Sequence, residues 1–336
     1  MPVVALDARL LDAGPAALEA AVADHLGTPL LLRFDGIPAE VPAATAGYLR
    51  HVPALTLGVG ARAPMDELDL GTADPAQADE WCAAFDRSPH AAHAAALLVR
   101  RPPADPWTGL VAESAVYSML LAGPAFHAWR EANAPSPAQD DAERVRVSRT
   151  GRVTEIVLIR AARHNAIDVR MRDELYAALG DALAGPGPVL VSADGPSFSS
   201  GGDLDEFGTF PDPASAHAIR LGRSLAWRFH QLAPRLVVAV HGSCLGAGIE
   251  LPAFASTVIA ADDAVAGLPE PALGLVPGAG GTVSIPQRAG RARFLELFLT
   301  DGTIPAATAR EWGLVDEVVP RTQLESRARE VAESLT

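Results

Sequence analysis

The chain has 336 residues, of which 49% are hydrophobic, 20% charged and 5% aromatic, and its formal net charge is −14. This is a globular composition with apolar side chains enough for one large or two smaller cores, and its acidic balance argues against sequence-independent nucleic-acid binding, which needs basic stripes. Lysine is absent, so all 27 basic residues are Arg, which excludes a P-loop and Schiff-base chemistry.

The two cysteines, Cys82 and Cys244, make neither a disulfide framework nor a metal-ligand spacing. The N-terminal stretch lacks a cationic segment followed by a long apolar one, and no later run of about 18 apolar residues occurs. The expectation is a cytoplasmic protein without a metal, not bound to membrane or nucleic acid.

In chain order, residues 1–132 read as an Ala-rich α/β region. Residues 29–34 (PLLLRF) and 54–59 (ALTLGV) are expected strands, and 15–25, 76–85, 90–100 and 110–132 are expected helices. Residues 133–143, NAPSPAQDDAE, have no periodicity and read as a linker. From 144 to 336 the pattern changes. Residues 153–159 (VTEIVLI) form an expected strand, and Asp168 is placed to cap a helix whose face carries Met171, Leu175, Ala178, Leu179 and Leu183. The GPGP run at 185–188 ends it. Residues 189–192, 236–240 and 256–261 are short continuous apolar runs of the kind buried on both sheet faces. Strands alternating with helices define an α/β layered fold with crossover connections.

Three segments of this second region carry chemistry. FSSGGDLDEF (198–207) gathers small residues around Gly201 and Gly202, so a ligand could approach backbone amides closely. HGSCLGAGIEL (241–251) follows the strand LVVAV, and its Gly-rich turn opening into an apolar helix leaves free amides at the turn. Two such loops after neighbouring strands could aim one N–H each at a single oxygen, an oxyanion hole. In LPEPALGLVPGAGGT (268–282), Glu270 lies between two prolines that stiffen its backbone. Singly, each has a plainer explanation: a Ser/Gly turn, a Glu250 capping its own helix, and a surface turn.

Taken together, their order and spacing resemble the crotonase (enoyl-CoA hydratase/isomerase) superfamily over about residues 147–319. RAARHNAI (160–167) is like that family's first strand-to-helix turn, and WGLVDEVV (312–319) is like its late helix-to-strand signature. The resemblance implies a crotonase-like ββα superhelix core, with oxyanion-hole amides at Ser200 and Ala247 and catalytic carboxylates at Glu250 and Glu270. It further implies coenzyme A contacts from Arg163, His164, Gly201, Gly202, Asp203 and Leu204. The substrate implied is an acyl-CoA, with no cofactor beyond the coenzyme A it carries, handled by a trimer or hexamer. Three departures are Ala247 where Gly is common, Ser256 where Asp is common, and a 160–163 turn without the usual Pro. None removes a catalytic group.

Both glutamates favour an enoyl-CoA hydratase. An isomerase, a hydrolase, a cofactor-free aryl-acyl-CoA oxygenase and a non-catalytic binding protein on the same fold remain open at this point. Phe207, Phe210, Trp227 and Phe229 are candidates for the acyl side; Cys244 and His241 read as packing. Residues 76–132 resemble the helical lid that family members carry after the core, which implies a permuted or partly duplicated arrangement with the lid placed first.

Overall fold

The computed structural model describes residues 3–25, 27–37, 40–60, 67–136, 142–300 and 302–335. The linker reading at 133–143 therefore falls partly outside the described residues; 133–136 are irregular. A four-stranded parallel sheet comes first, in the order β1 (Val3–Asp7), β2 (Leu31–Asp35), β3 (Leu55–Val59), β4 (Leu70–Thr72). Helices α1 (Arg9–Ala13), α2 (Pro15–Val22) and α3 (Ala43–Leu49) join Leu32 and Phe34 in one small core. Every residue of β3 is buried, because the other face, with Leu31, Leu55 and Leu57, is also covered.

The covering helices are α4 (Pro75–Arg87), α5 (Pro89–Val99), α6 (Pro106–Leu121) and α7 (Pro124–Ala132). The single helix expected over 110–132 is two, bent by 61°. Gly123 is extended (φ −82°, ψ 159°), and Pro124 supplies no amide to continue the ladder. Trp81, Phe85, Leu110, Tyr117 and Phe126 of these helices belong to the same continuous core as Val238, Phe254, Val283, Phe294 and Phe298 of the later region. Asp69 and Arg100 pair within this layer, with side chains 1% and 5% exposed, and Asp69 also accepts from the Thr56 amide at 2.9 Å.

The second unit runs β5 (Val145–Thr150), β6 (Val153–Leu158), α8 (Val169–Ala184), β7 (Val189–Ala193), α9 (Pro213–Gly222), α10 (Leu225–Leu232), β8 (Leu236–Val240), β9 (Ser243–Leu245) and α11 (Ala247–Glu250). It continues through β10 (Thr257–Ala261), β11 (Val265–Gly267), α12 (Gly281–Ala289), α13 (Arg291–Leu299), β12 (Ile304–Pro305), α14 (Ala306–Glu311), β13 (Glu317–Val319) and α15 (Leu324–Ser334). Its main sheet has the order β13-β10-β8-β7-β6-β5, parallel except for the β5–β6 hairpin; β12-β11-β9 form a small second sheet. The Asp168 carboxylate does cap α8, accepting from the Met171 amide at 2.7 Å, and Met171, Leu175, Ala178 and Leu179 are buried. The expected α/β class with parallel sheets is observed.

Because α4–α7 share one core with the second unit, a fragment beginning at Ala142 loses the cover over Phe254, Val283, Phe294 and Phe298. That fragment is expected to be insoluble or to bind a hydrophobic dye strongly, since burying each such side chain contributes roughly 1.5–3 kcal/mol. A soluble fragment that melts cooperatively and binds no dye would contradict it.

Candidate active site

The two Gly-rich loops are fixed side by side by backbone bonds. Ser199 donates its amide to the Ser243 carbonyl at 3.2 Å, and Leu245 donates to the Ser199 carbonyl at 3.0 Å. Asn165, fully buried with a left-handed backbone (φ 52°), donates its side-chain amide to the Asp194 and Ser197 carbonyls at 2.9 and 2.8 Å. The Ser199 hydroxyl donates to the Asn165 carbonyl at 2.8 Å and accepts from the Gly201 amide at 3.1 Å. The first strand-to-helix turn thus sets the height of the first loop, and the first loop sets the second.

A cavity of about 220 Å³ opens beside these loops. The amides of Gly202 and Ala247, both on its wall, have no acceptor among the described residues. Ser200 departs from the sequence reading. Its amide donates to the His164 carbonyl at 2.9 Å, and Ser200 does not line the cavity. The physical reason is the left-handed His164 (φ 51°), whose carbonyl turns onto the loop. Gly202, not Ser200, carries the open amide of this loop. The helix expected after the second loop is also shorter than anticipated. α11 is one turn, followed by a tight 3-10 turn at Pro252–Phe254, since Pro252 cannot extend the hydrogen-bond ladder.

Glu250 and Glu270 face the same cavity, 1% and 8% exposed. Glu250 does not cap its own helix. Its Oε2 accepts from the Ala279 and Gly281 amides at 2.8 and 2.9 Å, at the start of α12. Oε2 of Glu270 is buried and has no hydrogen-bond partner among the described residues. Gly246 lies between the two acids with φ 50°, and a Cβ there would come within 2.5 Å of Glu270 Oε1. Glycine is thus required both by the backbone and by the approach of the carboxylate.

A third carboxylate was not anticipated as a site residue. Glu113 of α6 is 1% exposed and lines the cavity. Its Oε1 accepts from the Gly280 amide at 2.7 Å, and its Oε2 accepts from the Thr282 amide and hydroxyl at 2.9 and 2.7 Å. Four consecutive amides therefore go alternately to Glu250 and Glu113. The signal available in LVAESAVYSMLL was an acid in mid-helix among apolar residues, one turn before Tyr117. Burial pushes the Glu113 and Glu270 carboxyls up to about 7, with the like charge of Glu113 adding at Glu270. Burial, then the charges of Glu270 and Glu113, raises Glu250 well above the ordinary carboxyl range.

The remaining expected residues divide. Phe207 and Phe210 line the cavity, whereas Phe229 is packed in the core and Trp227 stacks on His230 away from it. Asp203 is buried in an ion pair with Arg160 at 2.6 Å, so its first task is to hold the loop. Arg163 is exposed and paired with Asp205 at 2.5 Å; His164 and Leu204 are exposed; Gly201 is buried against the Leu245 carbonyl. Cys244 is buried and its thiol is pushed up by burial, consistent with packing.

The zipped loops, the parallel sheet and the buried acids define a crotonase-type fold. A protein-family model for enoyl-CoA hydratase/isomerase matches residues 148–336, and the chain belongs to that family. An enoyl-CoA hydratase/isomerase from Mycobacterium abscessus is 34% identical with a TM-score of 0.53, over 57% of this chain and 76% of that one. An enoyl-CoA hydratase from Bacillus anthracis has the same identity, TM-score and coverage. An enoyl-CoA hydratase from Thermobifida fusca, in complex with CoA, is 32% identical with a TM-score of 0.52, over 57% of this chain and 78% of that one. Residues 1–147, including Glu113, precede the family match.

Two outcomes follow from the acids. Glu113→Ala strands two buried amides and a hydroxyl, so it should lower stability by about 3 kcal/mol, read from the denaturant midpoint. It should also lower kcat, because the same turn holds Glu250. An unchanged midpoint would show that the 279–282 turn needs no acid from α6. The second outcome concerns pH. Between the ordinary carboxyl value of 4.5 and about 7, the folded protein holds protons on Glu113 and Glu270 that the unfolded chain has released. Their contribution to stability is therefore complete below about pH 4.5 and is lost as pH rises through about 7. Glu270→Gln should flatten that fall in thermal melts taken from pH 5 to 8; an identical slope would refute the assignment.

Proposed function

We propose that the protein hydrates an enoyl-CoA thioester, adding water across the α,β double bond. The observation that carries this reading is the placement of Glu250 and Glu270 in one buried cavity beside two open amides. The thioester oxygen would accept from Ala247 and Gly202, so that charge developing on it meets donors already in position. Two carboxyls crowded in low dielectric favour retaining one proton between them. The ionised partner takes a proton from water as the water oxygen bonds to the β-carbon. The double-bond electrons move onto the thioester oxygen, and the protonated partner then gives its proton to the α-carbon as the carbonyl re-forms.

Arg163 and His164, exposed beside the Gly201–Leu204 loop, are our candidates for the CoA phosphates, with Arg163 exchanging its pair with Asp205 for phosphate. The CoA complex of the Thermobifida fusca relative supports acyl-CoA binding. We further read α4–α7 as a lid supplied from the N-terminal side of the core, a reading supported by α6 on the cavity wall.

The test is conversion of crotonyl-CoA, followed as loss of the enoyl-thioester absorbance with formation of a 3-hydroxyacyl-CoA. Glu250→Gln and Glu270→Gln should each lower kcat by about 10²–10⁴, as for positioned acid–base groups. Release of free CoA thiol instead would mark a hydrolase. Near-full hydration by either variant would sink the two-carboxylate mechanism.

A further inference from the structure

Arg220 of α9 lines the cavity that holds Glu250 and Glu270. Its Nη1 donates to the Ser114 carbonyl and hydroxyl at 3.2 and 2.9 Å and to the Ser118 hydroxyl at 3.1 Å. Its guanidinium carbon lies 4.4 Å from the centre of the Tyr117 ring. These contacts fix the plane of the group while engaging one of its three nitrogens. Among the described residues, Nε and Nη2 have no acceptor and the guanidinium has no ion pair.

That absence is unusual in a chain of net charge −14. A cation drawn into a cavity is costly unless an anion or a full set of acceptors accompanies it. Glu113, beside Ser114 in the chain, commits both oxygens to Gly280 and Thr282, and Glu250 commits Oε2 to Ala279 and Gly281. Glu113 attracts Arg220 through space, but neither acid bonds to its guanidinium. Leu110, Leu121, Ile219 and Phe210, which offer no acceptor, line the same cavity. The free edge of a guanidinium presents parallel N–H groups that fit the two oxygens of a carboxylate.

We propose that Arg220 is a specificity-determining residue that receives the far end of the acyl chain, and that the substrate is an enoyl-CoA whose acyl group ends in a carboxylate. The reaction at the double bond rests on the hydratase reading, but recognition by Arg220 does not. The two are separable by measuring binding with saturated thioesters that undergo no hydration.

Glutaryl-CoA, with five acyl carbons ending in a carboxylate, and hexanoyl-CoA, with six ending in a methyl group, span about the same length and differ in the charged end. By calorimetry the unmodified protein should bind glutaryl-CoA more tightly by about tenfold or more, the scale of one charge-assisted bidentate contact. Arg220→Gln should bring the ratio of the two dissociation constants to about one, and Arg220→Lys should retain part of it. Equal binding of the two thioesters by the unmodified protein, a preference for hexanoyl-CoA, or a ratio unchanged in Arg220→Gln would overturn the proposal. Should the Gln variant fail to fold because Ser114 and Ser118 lose their donor, the unmodified protein's ratio decides alone. Selective binding of glutaryl-CoA together with no hydration of glutaconyl-CoA would uphold Arg220 and remove the hydratase reading instead.

Discussion

The amides of residues 279–282 are the point on which the rest of this site depends. Amides at the start of a helix lack intrahelical acceptors, and a buried helix start must find them elsewhere. Here two carboxylates fill the need from opposite sides, Glu250 at residues 279 and 281 and Glu113 at residues 280 and 282. One comes from the turn of the second Gly-rich loop and the other from a helix outside the family match. The same bonds that orient Glu250 also anchor α6 to the cavity. Local structure, domain packing and the placement of a reactive group are one arrangement.

This arrangement also explains why the acids sit where their protons are held loosely. Burial opposes the charged forms of Glu113 and Glu250, with the like charges of Glu270 and Glu113 adding at Glu250, while amide donors, and at Glu113 the nearby Arg220, favour them. The opposition leaves Glu113 and Glu270 near neutrality, the range in which a group both takes and gives a proton.

The parts legible in the sequence were those written in contiguous residues. The strand LVVAV, the cap at Asp168, the Gly-rich loops and the PE dipeptide each carry local chemistry that folding preserves. What escaped was decided between distant segments. The Ser200 amide is unavailable because of a carbonyl at His164, and only the left-handed backbone there brings the two together. Glu113 looked like a polar residue in an apolar helix, and its partners lie 167 and 169 residues away. β5 was missed because an exposed edge strand carries no apolar run, its Val145 alone being buried. Trp227 and Phe229 share a short helix with the right composition for a pocket, but they pack elsewhere.

The order of segments along the chain has a consequence for biosynthesis. A ribosome releases α6 after the first sheet but before any part of the second unit, so Glu113 emerges without the amides of Gly280 and Thr282. The nascent helix must wait, through the synthesis of more than 160 residues, for the turn at 280–282 that satisfies it. Contacts so far apart in sequence close late and slowly. The cavity is therefore among the last features to form, since its wall at residues 278–280 is made only after most of the described core has been translated.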